Sequence, residues 1–414
     1  MVIIDRSGCY KCKGDLSLCA PHRCPMRVKL YGLQPVEKAF KNSKIIDGFN
    51  PPSFFVGSQN WPNVSVNPMF SVLDQPPRLI DEPDLWKTQF QIPDIVKFRT
   101  HLFRAKIGRI NVKNKQKTSI NPRTLNQIQE LLMAKNPTQL NVEFAKPIKF
   151  NLKFNTFISP IGPGGKMKAF SIEDTPKIDH RIEKVVEDTD LTAKYAIEEL
   201  WDQNLSITQI NRILSAGMLG LEKKRHIVPT RWAITATDDQ IAKKMMEKIK
   251  EFPEIDHFEV WYSDYLDNHF RILLRPFEFS FEFIEFWKNP QGWSFGHDYE
   301  FFEGRTSYAK SSVGGYYATR LAVVEYLFKI LRKQAEVVVF REVGEDYYIP
   351  LGVWQVRENV RSAFSSNKMV YSGNNEKEAL EKLFKDLMIK TDEIKNRSII
   401  LYRRTHRKKL TQFI

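Results

Sequence analysis

The chain has 414 residues, of which 42% are hydrophobic and 27% are charged. These values are typical of a folded globular protein and exclude a fibrous or wholly disordered chain. Its 63 Lys and Arg outnumber 49 Asp and Glu, for a formal net charge of +14, which favours a polyanionic partner.

Membrane and secretion signals are missing from the sequence pattern. No apolar run approaches the length of a membrane span, and the first residues hold cysteines and charges where a signal peptide would have its apolar region. We therefore expect a cytoplasmic protein with no membrane partner.

All four cysteines lie near the N-terminus, at Cys9, Cys12, Cys19 and Cys24. Two residues separate the first pair and six separate Cys12 from Cys19, so four thiolates can surround one tetrahedral ion. We predict a structural zinc site with these four ligands, and His22 is the alternative fourth ligand. Two local disulfides, a reduced segment without metal and an iron–sulfur cluster are the other interpretations.

Residues 50–83 combine prolines and turn-forming polar residues with apolar side chains such as Phe54, Val56 and Trp61. Proline interrupts helices and biases the residue before it towards extended geometry. The apolar side chains are too frequent for a linker, so this segment is predicted to be ordered, with extended stretches and turns.

The segment from Lys97 to Arg123 contains nine Lys or Arg and no acidic residue. A basic stripe of this kind binds DNA without sequence preference, because each neutralised phosphate releases counterions. An equally weighted interpretation is a solvated basic face that contacts nothing. The residues predicted to bind DNA are Arg104, Lys106, Arg109, Lys113, Lys115 and Lys117.

A second acid-free segment follows between Glu143 and Glu173. Alternating apolar residues at 150, 152 and 154 predict a half-buried strand. The glycine-rich segment at 160–170 is predicted to be a structural turn, since Pro160 and Met167 depart from the pattern of a phosphate-binding P-loop.

The most densely patterned stretch runs from residue 188 to residue 240. Apolar spacing after Asp190 predicts a helix, and Ser206 followed by Gln209 forms a capping box for a second helix that ends at Gly217 or Gly220. Residues 231–237 are predicted to be a strand, followed by a helix that begins at Thr237.

This stretch also contains a candidate phosphate or metal site. Asp188, Asp190, Asp238 and Asp239 are candidate ligands of a second divalent metal, with Arg231 binding the phosphate of a nucleotide or a DNA end. The simpler interpretation of the last two aspartates is stabilisation of a helix N-terminus through its dipole.

The C-terminal part alternates strand and helix patterns. Residues 258–275 predict a β-hairpin, residues 277–287 fit a strand or one helix face, and a boundary is predicted between 289 and 304. Beyond it, a long apolar helix, the EVVVFREV strand and a helix from about residue 375 to residue 389 predict a small α+β unit.

The last 21 residues hold seven Lys or Arg and no acidic residue, yet the chain ends on apolar side chains. Leu410, Phe413 and Ile414 provide hydrophobic anchors one helical turn apart, the spacing of a peptide that docks into a groove of a partner protein.

Five stretches resemble the archaeal Nre DNA-repair family, and in particular its NreA branch. They are PPSFFVGSQNWPNVSV, DTDL, LSAGMLG, VPTRWAITATDD and GGYYATRLAVVEYL, and the resemblance extends over nearly the whole chain. It implies a zinc-finger-like cysteine cluster, two Nre regions and a terminal peptide that binds the sliding clamp PCNA. Arg407 stands where that peptide usually begins with Gln, and Ile414 where it often has a second aromatic residue, so we expect weakened clamp binding.

Taken together, the predicted fold class is mixed α+β. The predicted regions are a zinc module (1–26), an Nre N-terminal region (27–290), an Nre C-terminal region (291–400) and a flexible basic tail (401–414). The leading functional hypothesis is a DNA-repair factor recruited to PCNA. The alternatives are a metal-assisted phosphohydrolase or nuclease, and a clamp adaptor that does not touch DNA.

Overall fold

The computed structural model describes residues 23–40, 43–73, 77–150, 161–289 and 292–401. Within them there are 13 α-helices and 13 strands, which confirms the mixed α+β fold class. The predicted zinc module and the basic tail lie almost wholly outside the described residues. The chain divides into an N-terminal unit, which runs to residue 241 and includes 349–352, and a C-terminal unit formed by 242–348 and the residues from 353 onwards.

Seven strands of the N-terminal unit form a barrel with an extension. The strands are β1 (Ile45–Val56), β2 (Asn63–Ser71), β3 (Phe103–Lys106), β4 (Gly108–Asn111), β5 (Asn114–Thr118), β6 (Thr138–Phe144) and β7 (Gly164–Ile172). Their order is β1-β6-β7-β3-β2-β4-β5, and β1 also pairs with β2. This last pairing closes β1, β2, β3, β7 and β6 into a ring, since each of the five then has a partner on both edges.

The barrel is closed by one parallel pairing. β3 and β7 run parallel, whereas the other four pairings of the ring are antiparallel. β4 continues the line of β3 along the same edge of β2, and β5 folds back on β4. The third barrel strand is therefore β3 extended by β4.

Alternation of buried and partly buried residues marks the barrel interior most clearly in β6. Every second residue of β6 is buried, as expected for a strand with one face towards a core. Phe70, Phe103 and Phe144 belong to one buried cluster, which also includes Phe40 from the first helix. Phe54 and Val56 lie in β1 and Trp61 lies in the turn that follows it, which confirms the prediction of an ordered segment with extended stretches and turns.

Among the described residues, nine α-helices belong to the N-terminal unit in whole or in part. They are α1 (Pro25–Phe40), α2 (Pro77–Ile80), α3 (Pro83–Trp86), α4 (Ile92–Thr100), α5 (Pro122–Leu132), α6 (His180–Glu187), α7 (Ala193–Asp202), α8 (Ile207–Ser215) and α9 (Thr230–Ile249). α5 connects the third barrel strand to β6.

The helix predicted after Asp190 is confirmed as α7, although its cap at Thr192 was not predicted, and the predicted cap at Ser206 is confirmed at the start of α8. Thr192 accepts a hydrogen bond from the backbone of Tyr195 at the start of α7. Ser206 accepts one from the backbone of Gln209 at the start of α8, which ends before Gly217, a residue with φ of +71°. Side-chain capping is a local interaction, and for this reason the sequence alone reveals it.

The prediction of a strand at residues 231–237 is wrong, and with it the helix start at Thr237. These residues form the first two turns of α9. Their β-branched side chains favour a strand, but Ala233, Thr237 and Ile241 are completely buried at a spacing of four residues. Burial of one helical face therefore outweighs the local propensity.

The glycine-rich segment at 160–170 is also different from the prediction. Residues 161–163 form a connection, but Gly164 onwards belongs to β7. Pairing with β3 and β6 accounts for this difference, because both partners are distant in sequence. The strand predicted at 150–154 lies almost entirely outside the described residues.

The C-terminal unit contains one six-stranded sheet. Its strands are β8 (Phe258–Tyr265), β9 (Asn268–Arg275), β10 (Ser280–Asn289), β11 (Gly292–Glu300), β12 (Glu336–Val343) and β13 (Met369–Gly373). Their order is β11-β10-β12-β9-β8-β13. The β8–β9 hairpin confirms the hairpin predicted at residues 258–275, and β12 confirms the predicted EVVVFREV strand. Most of the segment at 277–287, whose pattern fits a strand or one helix face, lies in β10.

Helices cover both faces of this sheet. They are α10 (Val313–Glu325), continued by a π-helical turn (Tyr326–Leu331), α11 (Trp354–Ala363), α12 (Glu376–Phe384) and α13 (Thr391–Lys395). Tyr316 of α10 packs on Phe281 of β10 at 5.2 Å between ring centroids. On the opposite face, Ile284 of β10 shares a core with Leu383 of α12 and Ile394 of α13. The predicted region boundary after residue 290 lies in the β10–β11 connection, whereas the two units divide within α9.

Candidate nucleic-acid interface

The basic residues between 97 and 123 divide into buried structural ones and exposed ones. Lys106, Arg109, Lys113 and Lys117 are exposed on β3, β4 and the β4–β5 hairpin. Arg104 is partly buried and its Nε donates to the carbonyl of Gly162 at 3.3 Å. Burial lowers the pKa of the Arg104 guanidinium. The side chain of Lys115 is not among those that the structure describes.

Arg99 serves a structural role in a buried cluster of charges. Its guanidinium pairs with Asp81, which also accepts a hydrogen bond from Arg212 of α8 at 2.9 Å. Burial lowers the pKa of Arg99. Both arginines are thus held inside the unit and cannot reach a nucleic acid.

Two exposed tryptophans lie beside the basic hairpin. Trp61, in the turn between β1 and β2, is 42% exposed, and Trp232, in the first turn of α9, is 45% exposed. Their ring centroids are 5.8 Å apart and their planes are inclined by 58°. The ammonium of Lys113 lies 4.6 Å from the centroid of the Trp61 ring, a cation–π arrangement. We call Trp61, Trp232, Arg109, Lys113 and Lys117 the Trp61–Trp232 surface.

Hydrogen bonds fix the hairpin against the Trp61 turn. The backbone amide of Val112 donates to the carbonyl of Pro62 at 2.9 Å. Next to it, the Asn111 side chain donates to the side-chain oxygen of Asn63 at 2.9 Å. These contacts hold the backbone just before Lys113 beside the turn that carries Trp61.

The start of α9 is fixed to the barrel in the same way. The hydroxyl of Thr230 accepts a hydrogen bond from the backbone amide of Val56 at 2.8 Å, and it lies 3.2 Å from the hydroxyl of Ser215. Val56 is the last residue of β1, directly before the turn that holds Trp61. The two indoles therefore stand on one rigid support.

The charges of this surface are available to a ligand. Within the described residues, Arg109, Lys113 and Lys117 form no ion pair with an acidic side chain. A solvated indole accepts a flat base by stacking, and an unpaired ammonium or guanidinium neutralises a phosphate. The surface can therefore bind both parts of a nucleotide chain.

Sequence reasoning missed both tryptophans as site residues. It treated Trp61 as part of an apolar ordered segment and Trp232 as part of a strand. The available signal was the position of Trp61 beside Pro62 in a polar stretch, N-W-P-N, where a large aromatic residue lies in a turn. Nothing in the sequence indicated that the two would meet.

The four aspartates predicted as metal ligands lie in two different environments. Asp188 and Asp190 are exposed, and the Asp188 carboxylate accepts hydrogen bonds from the backbone amides of Asp190 and Leu191, each at 3.0 Å. Asp238 and Asp239 are buried in the middle of α9.

In the described part of the chain no group of three or more His, Cys, Asp or Glu is placed to hold a metal ion, and the second divalent metal is still a prediction. Arg231 is exposed in the first turn of α9, next to Trp232.

The two ends of the chain lie mostly outside the described residues. Of the predicted zinc ligands, only Cys24 is described, and it is buried just before α1. Cys9, Cys12, Cys19 and His22 lie outside the described residues, as do Leu410, Phe413 and Ile414. The predicted zinc and clamp-binding sites are therefore still predictions.

The C-terminal unit has a cleft of about 470 Å³ beside β8, β9 and β12. In it, His269 contacts Asp264 at 3.4 Å and Asp267 at 3.0 Å, and hydrogen bonds to these carboxylates raise the pKa of His269 to about 10. Glu342 accepts hydrogen bonds from two backbone amides, and burial raises its pKa. Each of these carboxylates is thus held by a partner within the unit.

No helix among the described residues is both long and apolar enough to cross a membrane.

Comparison with known proteins gives a family match over most of the chain. Residues 18–294 match the model "Archaeal Nre, N-terminal", and residues 300–413 match "Archaeal Nre, C-terminal". The chain is 34% identical to the DNA repair protein NreA of Archaeoglobus fulgidus, over 88% of this chain and 90% of that protein. It is 33% identical to the DNA repair protein NreB of the same organism, over 86% and 88% of the two chains.

A third relative is the DNA repair protein NreA of Haloferax volcanii, which is 31% identical over 79% of this chain and 80% of that protein. No solved structure matches the chain.

Proposed function

The chain belongs to the archaeal Nre family, and from this premise we propose that it is a DNA-repair protein that binds DNA through the Trp61–Trp232 surface. The names of its relatives, which are DNA repair proteins, support the repair role. The observation that carries DNA binding is the pair of exposed indoles with the ammonium of Lys113 over one of them, on a hairpin that also carries the exposed Arg109 and Lys117.

The charge balance supports the same conclusion. The segment that supplies Arg109, Lys113 and Lys117 contains no acidic residue, and the whole chain has a formal net charge of +14. Each phosphate contact contributes favourable counterion release, which grows as the salt concentration falls. Two exposed indoles in contact with each other, beside a hairpin of exposed cations, distinguish this surface from a basic face that is merely solvated.

This DNA-binding proposal is tested by removing the charge of the surface. A triple variant with Arg109, Lys113 and Lys117 changed to Gln is compared with a control in which Lys223, Lys224 and Lys377, also exposed, are changed to Gln. DNA affinity is measured by fluorescence anisotropy at several salt concentrations between about 50 and 200 mM.

We expect the surface variant to bind more weakly and its salt dependence to flatten, by about 2 in the slope of log K against log salt for three lost contacts. The control, with the same net charge, should keep most of the wild-type slope. Equal behaviour of the two variants would show that the surface does not bind DNA.

We further propose recruitment to the sliding clamp PCNA through Leu410, Phe413 and Ile414. The support is the sequence of the tail, in which three apolar residues end a basic segment. Deletion of residues 407–414 should abolish binding to purified PCNA in a pull-down and leave DNA binding by the barrel unchanged. Retained clamp binding would overturn this part of the proposal.

We also propose a structural zinc ion held by Cys9, Cys12, Cys19 and Cys24. The support is the spacing of the thiols and the burial of Cys24, which a closed four-ligand site would produce. Zinc in this position organises the N-terminal segment and takes no part in the DNA contacts proposed above.

A further inference from the structure

We infer that the Trp61–Trp232 surface takes single-stranded DNA, with bases stacked on the indoles and the phosphate backbone against the neighbouring cations. This inference rests on the proposed function, since it assigns the form of DNA that the same surface binds. Its first support is the topology of the barrel, and its second is the geometry of the exposed aromatic residues.

The barrel has the strand arrangement of an oligonucleotide-binding fold. In chain order its five strands are β1, β2, β3 extended by β4, β6 and β7, and around the ring the first is followed by the second, third, fifth and fourth. The third and fifth strands are parallel, and helix α5 connects the third to the fourth. A five-stranded Greek-key barrel of this kind is the OB fold.

The exposed residues lie where OB folds bind their ligands. In these barrels the second and third strands form the binding face, and the connection between the first and second strands borders it. Trp61 lies in that connection, between β1 and β2. Lys113 follows the extended third strand, and β2 joins that strand through the register pair of Asn63 and Asn111.

The opposite end of β2 is closed to a ligand. Met69 of β2 is buried together with Ile80 of α2 and Leu102. The open part of the binding face is therefore the end that carries Trp61 and the β4–β5 hairpin. A nucleic acid that approaches β2 and the third strand reaches this end.

Two inclined indoles favour a single strand over a duplex. Their planes differ by 58°, so the rings do not stack on each other in parallel, and each can receive a separate base. In a duplex the base faces are already stacked on their neighbours, and only phosphates and groove edges are accessible. A flexible single strand can turn its bases outwards onto both rings.

The cations complete the fit to a single strand. Lys113 lies over the Trp61 ring, so a base that stacks near this ring brings its phosphate close to an ammonium group. Arg109 and Lys117 extend the positive charge along the hairpin. Aromatic stacking combined with a basic track is the arrangement by which proteins bind single strands without sequence preference.

The test uses the full chain and two fluorescently labelled DNA probes. One is an oligothymidylate of about 15 nucleotides, near the upper site size of a single OB fold, and the other is a duplex of the same length. Trp61→Ala, Trp232→Ala and the double variant are compared with Tyr195→Ala, which removes another exposed aromatic ring, 55% exposed. Trp61→Phe and Trp232→Phe retain a ring at each position.

We expect the wild-type chain to bind the single strand at least tenfold more tightly than the duplex. Each alanine variant should lose about tenfold in affinity for the single strand, while its affinity for the duplex changes less than twofold. The phenylalanine variants should recover most of the loss, and Tyr195→Ala should behave as wild type. Quenching of tryptophan fluorescence by the oligothymidylate should fall in the double variant.

The possible failures are distinguishable. If both probes bind equally and the alanine variants lose nothing, while the Arg109, Lys113 and Lys117 variant still binds weakly, the single-strand inference is overturned and the proposed DNA binding stands. If neither probe binds to the wild-type chain, both are overturned. If a uridine oligoribonucleotide binds much more tightly than the oligothymidylate, the assignment to DNA is overturned.

Discussion

Arg212 offers a sharp test of which arginines serve the fold and which serve a ligand. It lies on the second helix of a helical hairpin, where a DNA-reading residue would stand in a helix-turn-helix protein. In the structure its side chain is only 6% exposed and its Nη2 lies 2.9 Å from a carboxylate oxygen of Asp81, which is 5% exposed. The Nη1 atom donates to the side-chain oxygen of Gln209 at 3.2 Å.

The change to test is Arg212→Met, which keeps most of the side-chain volume and removes the charge. Breaking a buried ion pair by removing one partner typically costs about 3–5 kcal/mol. Asp81 retains Arg99 and the hydroxyl of Ser53 as partners, so the loss should be at the lower end, about 3 kcal/mol. DNA affinity should not change, because the side chain does not reach the surface.

The measurement is the free energy of unfolding in urea, followed by tryptophan fluorescence, together with DNA affinity by anisotropy. A double-mutant cycle with Asp81→Leu separates the pair from its surroundings, and the double variant should be less destabilised than the sum of the two single variants. A variant that folds with wild-type stability and binds DNA more weakly would refute the structural role of Arg212.

Three further predictions concern other parts of the chain. In the folded protein the pKa of His269 is raised to about 10, above the 6.5 of an unfolded histidine. The contribution of His269 to stability is therefore complete below pH 6.5 and is lost as the pH rises towards 10. Unfolding free energies measured at a series of pH values should show this loss for the wild type but not for His269→Gln. Gly162→Ala should lower the melting temperature by several degrees, because a Cβ at this position would lie 1.9 Å from the carbonyl oxygen of Leu102. A melting curve identical to that of the wild type would contradict this packing. Changing all four cysteines to serine should abolish the zinc content measured by elemental analysis and leave the affinity for DNA unchanged. Equal zinc content in the wild type and the variant would exclude the cysteine site.

Features that depend on residues close together in the chain could be predicted from the sequence alone. The cap at Ser206 follows from a side chain that accepts a hydrogen bond from the backbone amide three residues away. The β8–β9 hairpin follows from two alternating segments joined by a short turn. The mixed α+β class follows from the sum of such local patterns, and the family resemblance from stretches of sequence read directly.

Residues far apart in the chain decided the rest. The segment at 231–237 has the propensity of a strand, but burial of Ala233 and Thr237 makes it a helix. Closure of the barrel depends on the pairing of β3 with β7, whose first residues are 61 positions apart.

The candidate site shows most clearly which properties come from the sequence and which come from the tertiary structure. The sequence identified the basic segment, but it could not separate Arg99, which is buried against Asp81, from Lys113, which is exposed beside an indole. It also gave no sign that Trp61 and Trp232 meet, because the hydrogen bond from Val56 to Thr230 joins residues 174 positions apart. Charge is a property of composition, whereas a binding surface exists only after folding has buried some of those charges and brought distant aromatic rings to the others.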